Sequence, residues 1–173
     1  MIRKGIYKFT LPNNMRIVIK PLDSIGLSAF NLTFGTNSMD ENSNVGIRNL
    51  IQEIIRNLYM QYGYESVTNP ISTQVTQDLV YVSGYCLSDY FNRYMEEVSS
   101  TLIDFNVDIR RTDIGTIKHN IINNPILQTP WQESYGCFIQ ELYGDYPYGR
   151  DIFGSKDSLE SIDDNKIVNF FSN

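Results

Sequence analysis

The chain has one histidine, His119, and two cysteines, Cys86 and Cys137. A hydrolytic zinc site usually draws on two or three histidines. A Ser–His or Cys–His nucleophile pair needs an imidazole oriented by a third group. A lone His119, with no supporting pattern around it, strains both chemistries and reads as a partly exposed helical histidine. The cysteines are far apart and lie in no C-x-x-C context, so they read as reduced thiols of a cytosolic protein rather than a disulfide or cysteine–zinc framework. The remaining polar constellation is Asn49, Gln52 and Glu53. Asn49 and Glu53 are four residues apart, so a helix places them on one face with Gln52 beside them. Taken alone, they read as the polar side of an amphipathic helix. A second group, Gly144-Asp145-Tyr146-Pro147-Tyr148-Gly149-Arg150-Asp151, reads as a surface turn. It doubles as a candidate contact loop through Tyr146, Tyr148 and Arg150, because Tyr and Arg are favoured at binding hot spots.

The elements that must position these residues fit within 173 residues, enough for one domain with a real core. Apolar residues make up 42% and charged residues 20%, which excludes wholesale disorder. Fourteen basic against twenty acidic residues leave a net charge of −6, a poor match to nucleic acid. No run of eighteen apolar residues suggests membrane insertion, and no polybasic stretch suggests a membrane surface. The basic start, Arg3-Lys4, has no apolar segment behind it to act as a secretion signal. A cytoplasmic location is therefore expected.

Tyr7–Leu11 and Arg16–Lys20 read as a β-hairpin around Pro12-Asn13-Asn14. A central strand is expected over Ile25–Phe34. The clearest helix repeats Ile47, Leu50, Ile51, Ile54, Ile55, Leu58 and Tyr59 at helical spacing, with Ser43 or Asn44 to cap it and Gly63 to close it. A long strand is expected from Val75 to Tyr85. Helices follow from Ser88, from Asp108 to a stop at Pro125, and from Thr129. The last has a Thr129-Pro130-Trp131-Gln132 capping-box signature and an apolar face of Trp131, Tyr135, Phe138, Ile139 and Leu142. A short helix closes the chain near Asp163–Phe171. This order predicts an α+β fold: a mainly antiparallel sheet that includes the hairpin, with helices packed on one face.

Three segments carry a resemblance. Leu11-Pro12-Asn13-Asn14-Met15-Arg16-Ile17-Val18 is similar to L-P-N-G-[LM]-R-V-V. Gly35 and Glu41 followed by Gly46-Ile47 are similar to G-S-x-x-E…G-L. Asp145-Tyr146-Pro147-Tyr148-Gly149-Arg150, with Gly154 and Ser158-Leu159, is similar to Y-P-x-H-P-Y-G-R-x-x-x-G-x-x-x-S-L. These are motifs of the insulinase, pitrilysin and mitochondrial-processing-peptidase family of zinc metallopeptidases, which the chain resembles along almost its whole length. Active members of that family carry H-x-x-E-H, two histidine ligands and a general-base glutamate, on the helix that matches Ile47–Tyr59. The resemblance places the first ligand at Asn49, the base at Gln52 and the second ligand at Glu53. Asn is a poor zinc ligand, Gln cannot take a proton, and one carboxylate does not make a tetrahedral site. The third ligand, a glutamate, would fall within 108–124, which contains no Glu and only Asp108 and Asp113 as carboxylates.

The resemblance therefore implies a single metallopeptidase-like domain over 1–173, half of a clamshell, with no catalytic residue, no metal and no cofactor. It also implies a partner: an active H-x-x-E-H relative in a heterodimer, or a peptide added to a sheet edge. The alternatives are a scaffold subunit of a larger complex with no protease role, and a metal-dependent enzyme built on Glu53. Judged by the same resemblance, a further strand and helix would follow the last segment, so a domain shortened at its C-terminal end is expected.

Overall fold

The computed structural model describes residues 5–22, 26–35, 44–61, 71–124 and 129–172. Strands β1 (Tyr7–Thr10) and β2 (Arg16–Ile19) form the expected hairpin. Asn14 takes a left-handed conformation at φ 64°, and the Asn13 side chain accepts from the Met15 amide at 3.1 Å. Asn and Asp tolerate such turns best among residues with a side chain.

Strand β3 (Leu27–Gly35) pairs antiparallel with β5 (Leu79–Leu87), and β5 pairs antiparallel with β4 (Ser72–Val75), giving the order β3-β5-β4. The hairpin does not extend this sheet. It forms a separate two-stranded one, contrary to the expectation of a shared sheet. Alternation and turn chemistry specify a strand and its immediate partner, but not its next neighbour. The expected long strand from Val75 also divides. Thr76-Gln77-Asp78 makes a tight turn, closed by the Thr76 amide donating to the Leu79 carbonyl at 2.8 Å. The two halves thus fold back on each other as β4 and β5.

Helix α1 (Ile47–Gln61) is the centre of the core. Its seven predicted apolar residues, Ile47 to Tyr59, are all buried. Around them pack Val82 and Cys86 of β5, Tyr94 and Val98 of α2 (Phe91–Ile103), and Phe105 of the short α3 (Phe105–Asp108). Ile117 and Ile121 of α4 (Ile114–Ile122) complete this side. Leu159 of α6 (Lys156–Glu160) and Ile167 of α7 (Asp164–Ser172) belong to the same cluster, and Phe171 of α7 stacks on Phe105 at 3.9 Å. The helix expected from Asp108 is interrupted: a 3-10 turn over Ile109–Arg111 and extended backbone at Thr112 precede α4. Asp113 then caps α4, accepting from the Thr116 amide at 3.1 Å and its hydroxyl at 2.7 Å. These two bonds hold the Asp113 carboxyl below the usual carboxylate range. The closing helix expected near Asp163–Phe171 forms as α7, and a further short helix, α6, precedes it, with Ser155 and Ser158 forming a full capping box at its start. Ser43, Gly63, Tyr62, Tyr64, Glu41 and Pro125 lie outside the described residues.

One side of the three-stranded sheet, with Phe30, Leu32, Val80, Val82 and Cys86, faces the helices, while Ala29, Asn31, Thr33 and Tyr85 are exposed. The chain is thus α+β, with antiparallel strands and helices on one face. No helix among the described residues is long and apolar enough to cross a membrane.

Tyr94 is fully buried, edge-on to Phe30 at 5.3 Å and to Tyr59 at 6.3 Å. Burial, with a smaller contribution from the neighbouring Tyr59, Cys86 and Glu97, pushes its phenol well above the ordinary range. The folded protein therefore holds this proton more tightly than the unfolded chain, whose tyrosines titrate near about 10. The corresponding stability is present in full below about pH 10 and is lost as pH rises above it. Urea unfolding of the wild type is thus expected to weaken steeply above about pH 10, and of Tyr94→Phe to weaken less. Equal slopes for the two proteins would remove Tyr94 as the cause.

Candidate functional site

Helix α1 differs from the sequence reading in one respect that governs the site: its polar side is also buried. Arg48, Asn49 and Gln52 are 1%, 3% and 7% exposed. An amphipathic helix normally turns such residues to water. Here two distant segments cover them, the turn at 76–78 and the stretch 148–154.

Asn49 donates through Nδ2 to the Phe153 carbonyl at 3.4 Å, and Gln52 donates through Nε2 to Asn49 Oδ1 at 2.8 Å. The two amides form a chain from α1 to the segment that precedes α6. Gln52 Oε1, at its inner end, is buried without a hydrogen-bond partner among the described residues. Glu53 does not join them. Its Oε2 accepts from Arg56 Nε at 3.0 Å and Nη2 at 2.6 Å, on the more exposed side of the helix.

At Asn49, Gln52 and Glu53 the donors do not match the zinc that the resemblance implies for active relatives. Two neutral amides are engaged with each other and with a carbonyl, and the one carboxylate is held by an arginine. Among the described residues no three His, Cys, Asp or Glu side chains converge as a metal-binding group. His119 lies exposed on α4.

Sequence reasoning missed the residues that organise this region. The Arg48 guanidinium donates to the Thr76 carbonyl at 3.2 Å and also to the Gln77 carbonyl. Gln77 in turn donates through Nε2 to the carbonyls of Tyr148 at 3.3 Å and Arg150 at 3.2 Å. The Tyr148 hydroxyl donates to Asp78 Oδ1 at 2.6 Å, and this bond raises the phenol above its ordinary value. The predicted contact loop is thus tied by its backbone to the β4–β5 turn, and that turn is tied to α1. The polar triplet Thr76-Gln77-Asp78 inside an apolar run was the available signal, since such triplets are turn-formers.

Of the predicted contact residues, Tyr146 is 50% exposed and stacks on Tyr148 at 6.0 Å, and Tyr148 lies 5.9 Å from Tyr143. Arg150 is half-buried, and its carbonyl is one of the two that hold Gln77. This loop follows α5 (Pro130–Tyr143), which Thr129 caps by accepting from the Gln132 amide at 3.4 Å. The expected capping box is half made, since the Thr129 hydroxyl itself donates to Gln132 Oε1. Helix α5 buries none of its residues. Its predicted core face is open, with Trp131 75%, Tyr135 54%, Phe138 59% and Leu142 59% exposed.

By sequence, no family model and no curated protein matches the chain. By structure, the likeness to known folds is high. A complex III2 structure from Candida albicans with Inz-5 bound superposes with a TM-score of 0.79 at 15% identity, over 95% of this chain and 39% of that one. The inactive domain of a peptidase M16 from Pseudomonas fluorescens gives 0.79 at 14% identity, over 96% of this chain and 43% of that one. A protease from Helicobacter pylori gives 0.75 at 15% identity, over 96% and 42%. The chain has the fold of the M16, or insulinase-like, peptidases, and spans about two-fifths of the length of these three chains.

Proposed function

We propose that this chain is a non-catalytic metallopeptidase-like subunit or domain that acts by binding, with a catalytically active H-x-x-E-H relative as its main partner and an extended peptide as a second class of ligand. The observation that carries this reading is the amide chain on α1. At the three positions where the resemblance puts two ligands and a general base, the protein has Asn49 and Gln52 bonded to each other and to Phe153, and Glu53 bonded to Arg56. None of these groups as bonded can activate water. That a solved relative in fold is itself described as an inactive domain supports the reading. For a peptide, the outer edge of β4, unpaired among the described residues and packed beside α1, offers backbone groups for strand addition.

The test is to express the chain alone and together with its nearest H-x-x-E-H relative, then measure mass in solution and chelator-sensitive peptide hydrolysis. The expected result is no chelator-sensitive hydrolysis by the chain alone, and a mixed complex with altered activity when both are present. Hydrolysis by this chain alone, abolished by chelator, would overturn the non-catalytic reading. A monomer that neither joins the relative nor changes its activity would overturn the partnership.

A second reading, a scaffold subunit of a larger complex with no protease role, is favoured by the likeness to a complex III component. Affinity purification at native level separates the two: co-purification of a large assembly without an H-x-x-E-H protein supports the scaffold.

A further inference from the structure

Among the described residues, two elements of this fold lack the support their kind requires. A two-stranded hairpin is marginally stable in water unless it packs on something else. The β1–β2 register sets Tyr7 opposite Ile19 and Phe9 opposite Ile17, which places all four on one face. Three of them are half exposed: Tyr7 55%, Phe9 51% and Ile19 47%. Helices in turn owe most of their stability to a buried apolar face, yet α5 leaves Trp131, Tyr135, Phe138 and Leu142 in a narrow stripe open to solvent.

We propose that two copies of this chain associate reciprocally, the hairpin of each seated on the α5 stripe of the other. The apolar faces match in kind, a flat sheet face against a helix ridge. The charges match in sign. Residues 7–20 carry Lys8, Arg16 and Lys20 and no acid, whereas residues 130–146 carry Glu133, Glu141 and Asp145 and no base. The three bases alternate to the far face of a ribbon only two strands wide, within a Debye length of about 10 Å from the facing helix. Their field therefore speeds encounter and makes it salt-sensitive without forming buried pairs. Side chains of this size, about half exposed, present roughly 100 Å² each. Two reciprocal contacts of seven such side chains reach roughly 1,400 Å², within the range of about 1,200–2,000 Å² for a standard stable interface. This association concerns copies of one chain and uses neither Asn49 nor Gln52, so its failure leaves the pairing proposed above untouched.

Sedimentation velocity on the whole chain between about 1 and 100 µM tests it, with Phe9→Glu and Phe138→Glu as variants. Both side chains are more than half exposed, and circular dichroism verifies that each variant keeps the fold. The expected result is a concentration-dependent dimer, weakened roughly tenfold or more by either variant. A mixture of the two variants is expected to associate more tightly than either alone, because one hairpin and one stripe remain intact in the mixed pair. Lys8→Glu with Arg16→Glu is expected to flatten the salt dependence. A wild type that stays monomeric at the highest concentration would overturn the proposal. So would a dimer indifferent to both variants, a variant mixture with no recovery, or a monomer in which the hairpin cross-links to its own α5.

Discussion

Replacing Arg48 with alanine is expected to destabilise the chain by about 3 kcal/mol or more, a large fraction of what a domain of this size has to lose. The side chain is 1% exposed and its guanidinium serves the carbonyls of Thr76 and Gln77. Removing it leaves two part-buried carbonyls short of a donor and opens a cavity beside α1. Each unsatisfied buried group costs about 1–3 kcal/mol, and the cavity adds to that. The loss travels, because Gln77 is the residue that holds the backbone at Tyr148 and Arg150. Hydrogen exchange is therefore expected to rise at the β4–β5 turn and at 148–150 together, before global unfolding. Arg48→Lys is expected to recover only a part, since both bonds come from Nη1 and the lysine ammonium ends one bond short of that position. A shift of the urea midpoint equivalent to under about 1 kcal/mol for Arg48→Ala would show that the turn is held by something else.

The importance of Arg48 was not legible in the sequence, and the reason is physical. The apolar stripe of α1 announces itself because a helix that buries one face repeats at 3.6 residues whatever it packs against. The fate of the polar side depends on segments 28 and about 100 residues away, which local pattern does not encode. Asn49, Gln52 and Arg48 have the same composition whether water or a loop covers them. Their family positions were readable only through the resemblance, and their hydrogen bonds only through the structure.

Elsewhere the limits were of two kinds. Thr76-Gln77-Asp78 and Thr112-Asp113 interrupt apolar runs briefly, and periodicity read over longer windows passes across them. The stripe on α5 was correctly seen as apolar but expected to be buried, because spacing identifies a contact face without saying whether the contact is internal or with another molecule. The hairpin shows the same limit: its strands and turn are local, its place in a sheet is not.

Gly46→Ala is expected to be a strongly damaging single-methyl change beside α1. Gly46 sits at φ +90° immediately before α1, a conformation that residues with a Cβ rarely adopt. A Cβ there would meet Gly154 Cα at 2.8 Å and the Phe153 carbonyl oxygen at 2.9 Å. Both are backbone atoms, so no side-chain rotation relieves the overlap. Gly154 is itself at φ +78°, and its own Cβ would strike the Val45 carbonyl oxygen at 2.9 Å, so the two glycines define one close crossing of chains. The crossing is what brings the Phe153 carbonyl over Asn49. Alanine at 46 must therefore strain the backbone, or lift the 151–154 segment and break the bond to Asn49. The two penalties together are expected to reach about 3 kcal/mol. Gly26→Ala provides the control, because Gly26 has a comparable φ of +66° with nothing within 4 Å of a built Cβ. It should cost only the conformational part, about 1 kcal/mol. The difference between the two variants in urea unfolding measures the crossing itself. In the Gly46 variant the Asn49 side-chain amide should also exchange its protons faster, while Gly26→Ala leaves it unchanged. Equal costs for the two variants, or an Asn49 amide indifferent to Gly46→Ala, would mean that the 151–154 segment is not seated by this contact.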